Sequence, residues 1–163
     1  MKTHFKKLRD PNYFGSWDIQ DGEHEELTVT IKQAAPGQVK NDRGTEDVTL
    51  LHLVDYKPLI LNATNAETIS KVLDSPFIED WTGKRITLYV KRVKAFGDWV
   101  DAVRVRDKPP KDTREPMDVN HKGFKPAMDA VKAGTHTIEQ IETKYKLTDE
   151  ARKKIQDQSK PSK

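Results

Sequence analysis

Between Tyr89 and Trp99 the sequence sets Lys91, Arg92 and Lys94 among three aromatic rings, Tyr89, Phe96 and Trp99. Long cationic side chains can follow a phosphate backbone, and exposed rings can stack on unpaired bases. Each such stack contributes on the order of 1–3 kcal/mol with little dependence on base identity. The chemistry implied is recognition of a single-stranded polyanion, not bond making. Arg85, Arg104 and Arg106 extend the basic set on the same stretch. Lys40 and Arg43 add two cations upstream, on a segment that also holds Pro36, Gly37 and Gly44. Two competing roles stand beside this one: Phe96 and Trp99 could close the hairpin end of a core, and the cations could form a solvated face. Arg104 and Arg106 alternate with Val103 and Val105, which points them outward, toward ligand or water. Asp101 interrupts the stripe with a negative charge.

Catalysis finds less support. The five histidines, at positions 4, 24, 52, 121 and 136, lie at no metal-ligand spacing. Glu25-Glu26 and Glu79-Asp80 are adjacent carboxylates of the kind that line solvated faces. No phosphate-binding loop, Gly-x-Ser-x-Gly elbow or dinucleotide fingerprint occurs. The expectation is a non-enzymatic protein with no metal and no cofactor.

Charge sharpens the picture once it is divided along the chain. The total is only +3, but residues 83–106 carry seven basic and two acidic side chains, a net +5. Residues 25–82 carry five basic and ten acidic ones, a net −5, and residues 107–163 thirteen and ten, a net +3. A segregated basic stripe favours a polyanion partner more than the total does, while the acidic stretch is the strongest objection to it. Hydrophobic residues make up 34% and charged residues another 34%, so the core must be small and concentrated. No run approaches the ~18 apolar residues of a membrane span. Met1 to Asp10 is basic without a following apolar segment, which predicts no secretory signal. The absence of cysteine fits a reducing cytoplasm.

The elements that must position these residues follow from periodicity. Leu27, Val29 and Ile31 alternate with Thr28, Thr30 and Lys32, which predicts a strand over 25–33 with one buried face. Ala34 to Thr45 reads as a Pro/Gly-bearing loop, 47–54 as a second strand and 59–61 as a third. Thr64-x-x-Glu67 reads as a capping box opening a helix with Ala66, Ile69, Val72 and Leu73 on one face, stopped by Pro76. Arg85–Val93 and Trp99–Arg106 complete the set as a hairpin about Gly97, with Trp81 in the core. Three strands, one helix and a two-stranded hairpin is the order of a five-stranded OB-type barrel with its helix between strands 3 and 4. That fold binds oligonucleotides beside the loops joining strands 1–2 and 4–5, where Lys40, Arg43, Lys91, Arg92, Lys94 and the aromatics would fall. A general α+β sandwich uses the same elements.

The expected organisation is an arm over 1–24, whose Tyr13–Trp17 aromatics pack on the barrel as an edge segment, the mainly β barrel over 25–106, and a linker over 107–122. A small α-helical region over 123–158 and a disordered tail over 159–163 follow. Thr137-x-x-Gln140 is a second capping box. The stretch 137–158 has the rhythm of a helix-turn-helix, with Arg152, Lys153 and Gln156 outward. A protein-docking role for 123–158 is the alternative.

Lys57–Ala66, Glu79–Tyr89 and Val93–Gly97 together resemble small OB-fold proteins encoded by bacteriophages and prophages, most clearly over residues 10–106. The resemblance implies binding of single-stranded DNA during replication or recombination, with RNA as the other candidate strand, in the cytoplasm of a bacterial host. It assigns no individual residue. Many phage single-strand binders resemble one another in an acidic C-terminal tail that recruits partners, whereas the last residues here are Lys160-Pro161-Ser162-Lys163. The alternative is an accessory module whose barrel displays the helical region to a protein partner.

Overall fold

The structure, a computed structural model, describes residues 5, 8, 12–20 and 25–159. Most of the arm before residue 12, together with 21–24 and 160–163, lies outside the described residues. The chain divides into two compact units, residues 1–110 and 111–163.

In the first unit, helix α1 (Ser16–Gln20) precedes strands β1 (Glu26–Asn41), β2 (Gly44–Leu53) and β3 (Leu59–Leu61). Helix α2 (Ala63–Val72) and a 3-10 turn at Ile78–Trp81 lead to β4 (Arg85–Ala95) and β5 (Asp98–Val105). The five strands form one antiparallel sheet in the order β3-β2-β1-β4-β5. Among the described residues no ladder joins β3 to β5, so the sheet is open where a closed barrel was expected.

The long first strand departs most from expectation. It continues through Pro36 and Gly37, which the sequence reading assigned to a loop. A register shift between Ile31 and Gln33 divides it: Glu26–Thr30 pairs with β4, and Gln33–Asn41 pairs with β2 alone. Beyond the bulge one edge of β1 carries no neighbouring strand among the described residues, the kind of edge on which proline is tolerated in a sheet. Gly37 leaves room for the Leu50 side chain, which would lie 2.6 Å from a Cβ there. What remains of the expected loop is the turn Asp42-Arg43, where the Arg43 amide donates to the Asn41 Oδ1 at 2.9 Å.

Inward positions of the strands meet in one core of Val29, Ile31, Leu51, Leu53, Leu59, Ile86, Leu88, Val103 and Val105, closed by Ile69 of α2 and by Trp81. Trp81 donates its indole N–H to the Ser75 carbonyl at 3.0 Å. The 13–20 segment meets this core as a turn and a helix, not as an edge strand: Phe14 and Ile19 are buried in it, while Tyr13 and Trp17 are half-buried. The Phe14 amide donates to Pro58 O at 2.8 Å, and Asp18 pairs with Lys57 at 3.2 Å.

Helix α2 begins two residues earlier than the Thr64 box implies. Asn62 is its N-cap, accepting from the Asn65 amide at 2.9 Å, because Asn62 sits in extended backbone two positions before Thr64 and caps as well as threonine does. Asn65, not Val72, is buried on the inner face, and its Nδ2 donates to the Val103 carbonyl at 3.0 Å.

The second unit begins where a linker was expected. Strand β6 (Glu115–Met117) pairs in parallel with β7 (Tyr145–Leu147), and helices α3 (Phe124–Lys132), α4 (Ile138–Lys144) and α5 (Asp149–Ser159) complete the unit. Met117, Phe124, Ala151 and Ile155 form its core. The Thr137–Gln140 capping box is present in full. The helix-turn-helix reading is corrected: Tyr145–Leu147 between α4 and α5 is extended and held by β6, so the two helices are not joined by the tight turn of that motif.

Arg114 staples this unit. It holds both Asp112 carboxylate oxygens, Nε to Oδ1 at 2.8 Å and Nη2 to Oδ2 at 2.9 Å, and donates through Nη1 to Glu142 O at 2.6 Å. These hydrogen bonds hold the Asp112 carboxyl well below the usual aspartate range. A depressed folded-state value stabilises the fold above the unfolded value, about 4, and that contribution is lost as pH falls through the lowered one. Asp112→Asn is therefore expected to be less stable than the parent at neutral pH, with the gap narrowing steadily as pH falls below about 4. Denaturant unfolding of both proteins across that range measures it; a gap independent of pH would exclude the carboxylate as its source.

Candidate nucleic-acid interface

The β4–β5 ladder sorts the candidate residues by face. Tyr89 pairs with Arg104, Lys91 with Ala102 and Val93 with Val100, all on the outer face. Side chains directly opposite in such a ladder lie about 5 Å apart, and i, i+2 neighbours share the face. Tyr89, Lys91, Arg104 and Arg106 thereby come together, with Arg85 further along the same side of β4. Arg92 opposite Asp101, and Lys94 opposite Trp99, fall on the other face. Asp101, expected to interrupt the basic stripe, therefore faces away from Tyr89 and accepts from Gln20 Nε2 at 3.0 Å.

Arg106 lies just beyond β5, its amide donating to Thr87 O at 2.8 Å. Its guanidinium covers the Tyr89 ring, with Cζ 3.9 Å from the centroid, and pairs with Glu26. Lys91 and Arg104 make no ion pair among the described residues. A groove of about 510 Å³ runs beside them, lined on one wall by Tyr89, Lys91, Val93 and Arg104 to Asp107, and on the other by Thr64 and Thr68 of α2. Pockets of this size hold small ligands.

The hairpin tip is the second feature. Phe96 and Gly97 both have positive φ, 52° and 88°, the backbone of a two-residue type I′ turn. This turn throws the Phe96 ring wholly into solvent, and Trp99 is 62% exposed, so neither ring closes the core. Lys94 faces Trp99 across the ladder, which supplies a cation beside an aromatic surface.

Lys40 and Arg43 stand apart from both features. Lys40 pairs with Thr45 and Arg43 is in the turn, both exposed. Where β1 and β4 pair, the ladder runs from Glu26 opposite Tyr89 to Thr30 opposite Arg85. The β4–β5 tip lies beyond its Glu26 end and the β1–β2 tip beyond its Thr30 end.

Sequence reasoning missed Glu26, Thr64, Thr68 and Asp107. Glu26 was legible only as one of two adjacent carboxylates, because its partner lies eighty residues away. Among the described residues no group of three or more His, Asp or Glu side chains is placed to hold a metal ion, and no helix is long and apolar enough to cross a membrane. Comparison with family models, with curated proteins and with solved structures finds no match for this chain.

Proposed function

We propose that this chain is a non-enzymatic binder of single-stranded DNA, of the bacteriophage type, acting in replication or recombination in the host cytoplasm. The observation that carries the reading is the β4–β5 hairpin. Its outer face presents Lys91 and Arg104, which make no ion pair among the described residues, and its tip presents Phe96 and Trp99 to solvent. Cations along a groove neutralise phosphates and exposed rings stack on bases, which together bind a strand with little regard for sequence. The strand order, with one helix between β3 and β4, supports an OB-type barrel opened between β3 and β5. In this reading α2 covers the gap, its Asn65 amide bonded to a carbonyl of β5.

Fluorescence anisotropy tests it, using a labelled strand of about 30 nucleotides, duplex DNA and an RNA strand as competitors, and a salt titration. Saturable binding that weakens with salt and that duplex competes poorly is the expected result. No binding at low salt would leave the hairpin without this role. A second reading, docking of a protein partner on 123–158, draws support from the separate core of that unit. Deleting residues 111–163 separates the two: DNA binding survives under the first, and partner binding is lost under the second.

A further inference from the structure

Glu26, Tyr89 and Arg104 form one row across three strands, because Tyr89 is register partner to both of the others. Above that row Arg106 lies over the Tyr89 ring and bonds to Glu26 Oε1. A single carboxylate thus pairs with Arg106 and accompanies its placement over the ring, while Lys91 and Arg104 beside it make no ion pair among the described residues. Carboxylate and phosphate oxygens present the same acceptors to a guanidinium. Glu26 and Arg106 are each a little under half exposed, and an ion pair so exposed is weak enough to exchange.

We propose that Glu26 is a built-in stand-in for a phosphodiester. In the free protein it holds Arg106 on Tyr89. A single strand entering the groove along β5 exchanges one of its phosphates for that carboxylate, draws Arg106 off the ring, and opens Tyr89 to a base. The groove's volume of about 510 Å³ suits one nucleotide unit, with Lys91 and Arg104 beside the next phosphate and the Thr64 and Thr68 hydroxyls opposite. This inference rests on the DNA-binding reading above and adds to it a specific competitor within the site.

The test is a gain of affinity, which misfolding does not produce. Full-length Glu26→Gln is titrated against labelled oligothymidylate between about 50 and about 200 mM salt. Expected is binding about three- to tenfold tighter than the parent's at the lowest salt. The slope of log affinity against log salt should stay close to the parent's, because Arg106 meets the same phosphate in both complexes. Arg106→Gln added to Glu26→Gln should abolish the gain. A parent that binds while Glu26→Gln binds equally or more weakly overturns this inference alone. A parent that fails to bind the strand overturns the DNA-binding reading and this inference with it.

Discussion

Replacing Phe96 and Trp99 together with alanine is expected to weaken binding of a single strand by about 30-fold or more, two lost stacks at no less than about 1 kcal/mol each. Stability should change little. Neither ring belongs to the core, and substitutions at such exposed positions fall within roughly 0.5 kcal/mol. Alanine leaves the backbone demand at Phe96 much as it was, since both residues place a Cβ against the same left-handed backbone at φ 52°. Anisotropy measures the first effect and thermal melting the second. Unchanged affinity would remove the tip from the interface and confine contact to the groove of Tyr89, Lys91 and Arg104.

Leu88→Ala should have the opposite profile. Leu88 is wholly buried where β1, β4 and β5 meet, with Leu27 on one side and Val105 on the other. Truncating a leucine in such a place costs about 2–5 kcal/mol, the transfer term plus an unfilled cavity. That is a large share of the ~5–15 kcal/mol that holds a domain together, so melting should fall by ~10 °C or more. Lys91→Ala, three residues along the same strand but on the solvent side, should leave melting within about 0.5 kcal/mol of the parent. Denaturant titration of the two variants checks the pair. A mild Leu88→Ala would mean that the core around β4 can collapse into the space.

Residues with a simple alternation or a local cap were legible in the sequence. Ile86 and Leu88 read as inward and Tyr89 and Lys91 as outward, and they lie so. The Thr137–Gln140 box is a contact across three residues, which a sequence carries in full. Pro36 and Gly37 misled because their usual loop meaning depends on whether a neighbouring strand needs their N–H groups, and pairing is decided elsewhere in the chain. The same dependence hid the α4–α5 strand, since Tyr145–Leu147 is extended by pairing with Glu115–Met117. In the candidate site the cations and rings were visible by type. Their division between two faces of β4–β5 was not emphasised by composition, and Glu26 could be connected to Arg106 only through the β1–β4–β5 register.

The bulge in β1 also bears on the order in which the first unit can assemble. β1–β2 and β4–β5 are each closed by a two-residue turn, so each hairpin can form within microseconds of its own sequence becoming available. Among the described residues they share one ladder, Glu26–Thr30 with Arg85–Tyr89, and closing it must restrain the whole chain between Thr30 and Arg85, at a far larger entropic cost. The kinetic barrier therefore belongs to the meeting of two preformed halves. On a ribosome that meeting waits until Tyr89 has emerged, and until then Leu27 and Val29 lack the strand they pair with.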